Sequence, residues 1–196
     1  MEKKYKLTEE TLEIDGLVLN RIIALRDLGE VKKGDLGGFI EKESNLAHDW
    51  NCWIYNDAVV RGNAMVYGNA EVCEEAKVCG NAKVCGEAMV CGEAMVCGNA
   101  KVCGEAMVYG EAMVYGDATV CGNAKVEKKS DYIVFKNWWS SGRYFTWTRS
   151  NDMWTVGCFY GTGEELIKKA YADNEEKVRE YERVVKYVES IKSEIK

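Results

Sequence analysis

The sequence predicts a mainly β chain whose middle is a parallel β-helix of about four coils, set between an N-terminal β-rich cap and a C-terminal α+β module. Three observations lead there. A branched aliphatic residue recurs every six positions, from Ile54 through Val60 and Val66 to Val120 and Val126. Alanine stands two positions before each of these valines, from Ala58 to Ala124. Outside that run the period stops and the composition changes, which divides the chain into 1–46, 47–127 and 128–196.

The first of these stretches alternates like sheet. TLEIDGLVLNRIIAL carries Asp15-Gly16 between two apolar runs, a hairpin turn signal. In VKKGDLGGFIEKESNL, Gly34, Gly37 and Gly38 mark further turns. A cap of this kind covers the first coil and hides an edge that would otherwise recruit another strand.

In the second stretch each repeat is a short strand and a corner. Ala-x-Val puts Ala and Val on one side of a strand, because side chains alternate. One outward residue follows, then usually Gly, then Asn, Glu or Asp, residues that tolerate a sharp corner. Three repeats make one triangular turn, and stacked turns bury every Val and Ala in a common interior. Residues 18 apart then stack at roughly 4.8 Å. Tyr67, Cys85, Cys103 and Cys121 form one outer column; Cys79, Cys97 and Tyr115 form another, and Cys73, Cys91 and Tyr109 a third.

The residue between Ala and Val also points outward, and its three columns differ. They read Val59, Lys77, Met95, Met113; Met65, Lys83, Lys101, Thr119; and Glu71, Met89, Met107, Lys125. Two faces thus join Met to Tyr, with Met89, Met107 and Tyr109 on one and Met95, Met113 and Tyr115 on the other. Exposed Met invites contact. Two unlike apolar faces suit a closed ring of identical chains, and a homo-oligomer, with a trimer favoured, is the expectation.

In the third stretch SDYIVFKNWW, GRYFTWTRS and MWTVGCFYG read as three aromatic-rich strands. Thr162 with Glu165 is a capping box that opens a helix, and Asp173 with Glu176 repeats the signal. Val178, Tyr181, Val184, Val185, Val188 and Ile191 give the second helix its apolar stripe. The order is βββαα.

The run from Ile54 to Val126 resembles the hexapeptide-repeat family, and that resemblance implies a left-handed coil. The opening RIIALRDLGEVKKGDLGGFIEKESNLAHDWNCWIY is similar to YdcK-type hexapeptide proteins of bacteria and their prophages, most specifically at GDLGG and in the NL and CWIY segments. That likeness spans residues 5 to 126 and implies a transferase label by repeat type, with no catalytic residue carried over. The βββαα order resembles a small module of phage and prophage proteins that often follows hexapeptide repeats.

Composition narrows the function. The chain has 196 residues with 26 basic and 32 acidic side chains, an acidic balance that offers no support for binding duplex nucleic acid. No apolar run serves as a signal peptide or spans a membrane, so the expected location is cytoplasmic. Nine cysteines, an odd number without a C-x-x-C pair, argue against both a disulfide framework and zinc. No metal and no cofactor is expected. The single histidine, His48, is the candidate base for acyl transfer, but it stands at the entrance of the coil. Candidate ligand-binding residues are Trp138, Trp139, Arg143, Tyr144, Trp147, Arg149 and Trp154, whose rings and guanidiniums could take a nucleotide. The expectation is a non-enzymatic binding or scaffold protein, phage or prophage encoded, that sequesters a small nucleotide or inhibits a host protein. The alternative is a hexapeptide-type acyltransferase using acetyl-CoA or another acyl-CoA.

Overall fold

The computed structural model of the chain describes residues 2–137, 141–171 and 175–195. Its middle is a parallel β-solenoid made of β3 (Leu36–Ile40) and thirteen two-residue rungs, β4 (Trp53–Ile54) to β16 (Lys125–Val126). Rungs 18 residues apart pair in parallel. Val60 lies over Val78, Val96 and Val114, and Val72 lies over Val90, Val108 and Val126. Each Val of the period, and the Ala two before it, is fully buried. The residue between them faces out, with Lys77, Lys83 and Lys101 exposed and Met89, Met95, Met107 and Met113 half-buried.

Backbone hydrogen bonds run from each coil to the next, such as Lys83 N–H to the Ala100 carbonyl at 2.9 Å. The corners are tight. Gly104 has φ +70°, and a Cβ there would lie 2.9 Å from the backbone N and O of Gly122. Another corner carries a side-chain ladder, Asn63 to Asn81 to Asn99 to Asp117, at 3.2, 3.0 and 3.2 Å.

The solenoid has about five coils, where the sequence predicts about four. The added coil comes from β3 and Leu46. Ile40 pairs with Val60 and Leu46 with Val66, twenty residues apart instead of eighteen. The two additional residues fall between Leu46 and Ile54, where Trp50 takes φ +60°. They break the six-residue count without breaking the stack.

Above β3, β1 (Tyr5–Ile14) and β2 (Leu17–Ala24) form the hairpin that Asp15-Gly16 predicts, both turn residues having positive φ. β2 pairs antiparallel with β3, so the cap and one solenoid face are a single seven-stranded sheet. The cap also satisfies first-coil carbonyls. Tyr5 OH donates to Glu43 O at 2.9 Å and Leu46 O at 3.0 Å, and Lys4 Nζ donates to Cys52 O at 2.7 Å. Burial of Lys4 pushes its amine pKa down, against the opposing pull of the Cys52 thiol 3.1 Å away.

At the other end β17 (Tyr132–Lys136), β18 (Tyr144–Thr148), β19 (Met153–Val156) and β20 (Phe159–Gly161) form an antiparallel sheet. The predicted third strand is in fact two, because the chain reverses at Gly157, φ +60°. Helix α1 (Gly163–Tyr171) starts at the predicted capping box: Glu165 N–H donates to Thr162 Oγ1 at 3.3 Å, and Thr162 N–H to Glu165 Oε2 at 2.8 Å. The second capping signal, Asp173 with Glu176, falls outside the residues whose side chains are described. Helix α2 (Glu175–Ile191) turns Val178, Tyr181, Val185 and Val188 inward.

Alternation along β18 explains how this module seats on the coil. Phe145 and Trp147 enter a core with Trp154, Val156 and Leu166. Thr146 points the other way, and its Oγ1 accepts the Thr119 N–H of the last coil at 2.9 Å. Ser150 Oγ accepts the Lys125 N–H at 2.6 Å. Hydroxyls thus stand in for the strand that the last coil lacks.

Candidate functional site

His48 sits in the corner of the first coil between Leu46 and Ile54, beneath the cap residue Tyr5. Its ring stacks on Tyr5 with centroids 4.5 Å apart. The Lys4 N–H donates to Nδ1 at 3.4 Å, and Nε2 is buried with no hydrogen-bond partner among the described residues. Burial holds the imidazole pKa below its ordinary value, with the Glu43 carboxylate opposing. A general base must reach the proton it removes. Here the ring packs on Tyr5, and its Nδ1 is taken by the Lys4 N–H.

The aromatic and arginine cluster of the C-terminal module divides. Trp147 and Trp154, each 1% exposed, are core residues and offer no face to a base. The Trp147 indole N–H donates to Asp152 Oδ1 at 2.8 Å, the partner a buried indole needs. Arg149 faces Asp131 at 3.5 Å. Arg143 borders a cleft on the helix side, with Phe159, Lys169 and Tyr181. Tyr144 lies on the coil side, under the Lys136 ammonium at 3.8 Å. Trp138 and Trp139 lie outside the described residues. Strand alternation, which the sequence grouping ignored, sends neighbours to opposite faces.

What the structure does bring together is an apolar stripe and a tyrosine cleft. Met95 and Met113 pair on adjacent coils, and Tyr115 next to them is 53% exposed. The stripe runs into a cleft of 410 Å³ between the last coil and the C-terminal sheet, lined by Tyr115, Asp117, Lys129, Tyr132, Val134 and Tyr144 among others. Tyr132 OH donates to Met113 O at 3.0 Å, which fixes one wall. A hydrogen bond to the Asp117 carboxylate holds the Tyr144 phenol and pushes its pKa up. The second Met face, with Met89, Met107 and Tyr109, is half-buried, and the third presents Lys83 and Lys101 to solvent. Sequence reasoning selected Tyr115 and Tyr144 for different features and passed over Lys129 and Tyr132. The available signal was the alternation of Tyr132 and Val134 in DYIVFK, which needed the docking of β17 to acquire meaning.

A solenoid of six-residue rungs, each with Val inward and Ala two before it, defines the hexapeptide-repeat β-helix class. No family model matches the chain. Over 76 residues it is 38% identical to a protein of Escherichia coli (strain K12) named "Uncharacterized acetyltransferase YdcK". That stretch covers 31% of this chain and 23% of the relative, so the chain spans under a quarter of the curated protein it matches. Together the relative and the coils fit a hexapeptide-repeat β-helix protein. No helix among the described residues is long and apolar enough to cross a membrane.

Proposed function

We propose that the chain is a non-enzymatic β-helical binding and scaffold protein that self-associates through its Met faces and holds a ligand or a partner protein. The observation that carries this reading is the uniform coil. Rungs recur every six residues from Trp53 to Val126, and each corner between them is filled by Gly, Asn or a carboxylate instead of a loop that could wall a substrate pocket. The packing of His48 against Tyr5 supports it. The resemblance of the C-terminal module to phage and prophage modules supports a host protein or a small nucleotide as the ligand. Native mass spectrometry of the protein purified from cell lysate tests this. A bound host protein or nucleotide is the expected result; a bound acyl-CoA overturns it.

The name of the Escherichia coli relative favours a second reading, acyl transfer. In that reading acetyl-CoA is the donor and His48 the base. Acetyl-CoA turnover by the wild type that His48→Ala abolishes establishes it. Our reading expects no turnover from either protein.

A further inference from the structure

We propose that Cys103 and Cys121 are a thiol pair that closes to a disulfide when a hydroperoxide reaches the lower end of the coil. All nine cysteines are free thiols. Cys103 and Cys121 occupy the same corner position on successive coils, and their sulfurs meet at 2.7 Å. The backbone between them is fixed, with Cys103 N–H donating to Val120 O at 2.9 Å. A strand-to-strand spacing of about 4.8 Å lies within the separation that a disulfide bridges. Cys121 is half-buried and reachable, while Cys103 behind it is 8% exposed.

The surroundings set this column apart from the other two. Lys83 and Lys101 project beside it, and both are exposed. The Cys103 S–H donates toward Cys121, and that bond, then the Gly122 backbone N–H and after it the Lys101 charge, hold the Cys121 pKa low against the effect of burial. Cys103 keeps its proton, its pKa raised by its hydrogen bonds to Cys121 and Cys85 and by burial, with the Lys101 charge opposing. In the neighbouring columns burial pushes Cys73, Cys91 and Cys97 up. Cys73 also turns its thiol to the Val90 carbonyl at 3.8 Å. Glu71, Met89 and Met95, not a pair of lysines, stand beside those thiols.

The chemistry balances in two steps. The Cys121 thiolate attacks one peroxide oxygen, the O–O bond breaks, and a sulfenic acid and hydroxide result. Cys103 then loses its proton to hydroxide, and its sulfur attacks the Cys121 sulfur. The S–O bond breaks, and the departing hydroxide takes up the proton that the Cys121 thiol released to solvent on forming its thiolate. Two thiols have lost two electrons, and hydrogen peroxide has been reduced to two waters. The bond ties together the last two coils, beside the Thr119–Thr146 seat of the C-terminal module.

Peptide mapping tests the proposal on the intact protein. The protein is treated with hydrogen peroxide, unreacted thiols are capped with iodoacetamide, and trypsin then cuts after Lys101 and Lys125. Peptide 102–125 contains Cys103 and Cys121 and no other cysteine. The expected product carries no cap on either, is lighter by two hydrogens than the dithiol, and reverts with dithiothreitol. Lys101→Gln should slow its appearance several-fold, and in Cys121→Ser protein Cys103 should stay cappable. A peptide 102–125 capped at both cysteines after peptide 84–101 has lost its thiols overturns the proposal. So does a Cys121 oxidised to sulfinic acid beside a free Cys103.

Discussion

The Thr119 backbone N–H donates to the Thr146 hydroxyl at 2.9 Å, and this bond joins the last coil to the C-terminal sheet. Thr146 is 1% exposed, so water cannot replace it. Thr146→Val keeps the shape and leaves the Thr119 N–H unpaired, at a cost of about 1–3 kcal/mol. Thr146→Ser should recover most of that. Urea unfolding of the two variants checks it, and equal midpoints for Val and wild type would show that the bond contributes nothing.

Two corner glycines separate backbone strain from coil-to-coil contact. Gly104 and Gly116 share positive φ, +70° and +68°, but a Cβ on Gly104 meets the Gly122 backbone at 2.9 Å while one on Gly116 meets nothing within 4 Å. Gly116→Ala should cost about 1–2 kcal/mol, the price of a left-handed conformation alone. Gly104→Ala should cost clearly more, because the facing atoms are backbone and cannot swing away. Thermal melts of the pair read the difference, and a larger loss at Gly116 would contradict the stacking.

The inward register makes an equally sharp contrast. Val96 is fully buried and Lys101 exposed. Val96→Asp places a carboxylate without a partner in the coil interior, where it costs several kcal/mol. Lys101→Asp should melt close to wild type. Circular dichroism melts would contradict the register if both variants unfolded together.

His48 gives stability a pH dependence of known sign. Burial holds its pKa below the ordinary 6.5 in the folded chain. The unfolded chain therefore takes up the proton more readily. The stabilising contribution is complete above the unfolded value and is lost as pH falls through it toward the folded one. In His48→Gln that part of the acid-side decline should be absent. Urea midpoints from neutral to mildly acid pH measure it, and parallel curves for both proteins would exclude the linkage.

How much of this was legible in sequence follows from where the period was clean. Wherever Ala-x-Val repeats, from Ala58 to Val126, face, register and burial all follow from it. The first coil was hidden because its inward residues are Ile40 and Leu46, preceded by Gly38 and Ser44, and the next rung comes eight residues later at Ile54. Gly38 is required there, since a Cβ would meet the Ala58 carbonyl oxygen at 2.4 Å. Coil closure tolerates a longer corner; counting does not. Candidate sites were less legible because they depend on docking. Trp147 and Tyr144 are three residues apart, yet one lies in the helix-covered core and the other at the cleft against the coil.

Self-association through the Met faces is the prediction with the widest consequence. Met95, Met113 and Tyr115 form one stripe and Met89, Met107 and Tyr109 the other, on separate ladders of the same solenoid. Covering apolar surface is favourable at about 25 cal/mol per Å². The Lys83–Lys101 ladder cannot be covered as cheaply, because its ammoniums would lose water without gaining a partner. Two unlike apolar faces that meet around an axis close a ring, and the resemblance to hexapeptide-repeat proteins implies three subunits. Met95→Glu and Met107→Glu each place a charge in the contact and should dissociate the ring to monomers, while Lys101→Glu should leave it intact. Multi-angle light scattering at micromolar concentration decides. A wild-type monomer would sink the proposal. A dimer unaffected by either Met substitution would move the contact to the C-terminal module, where Tyr160, Tyr171 and Tyr187 are exposed among the described residues.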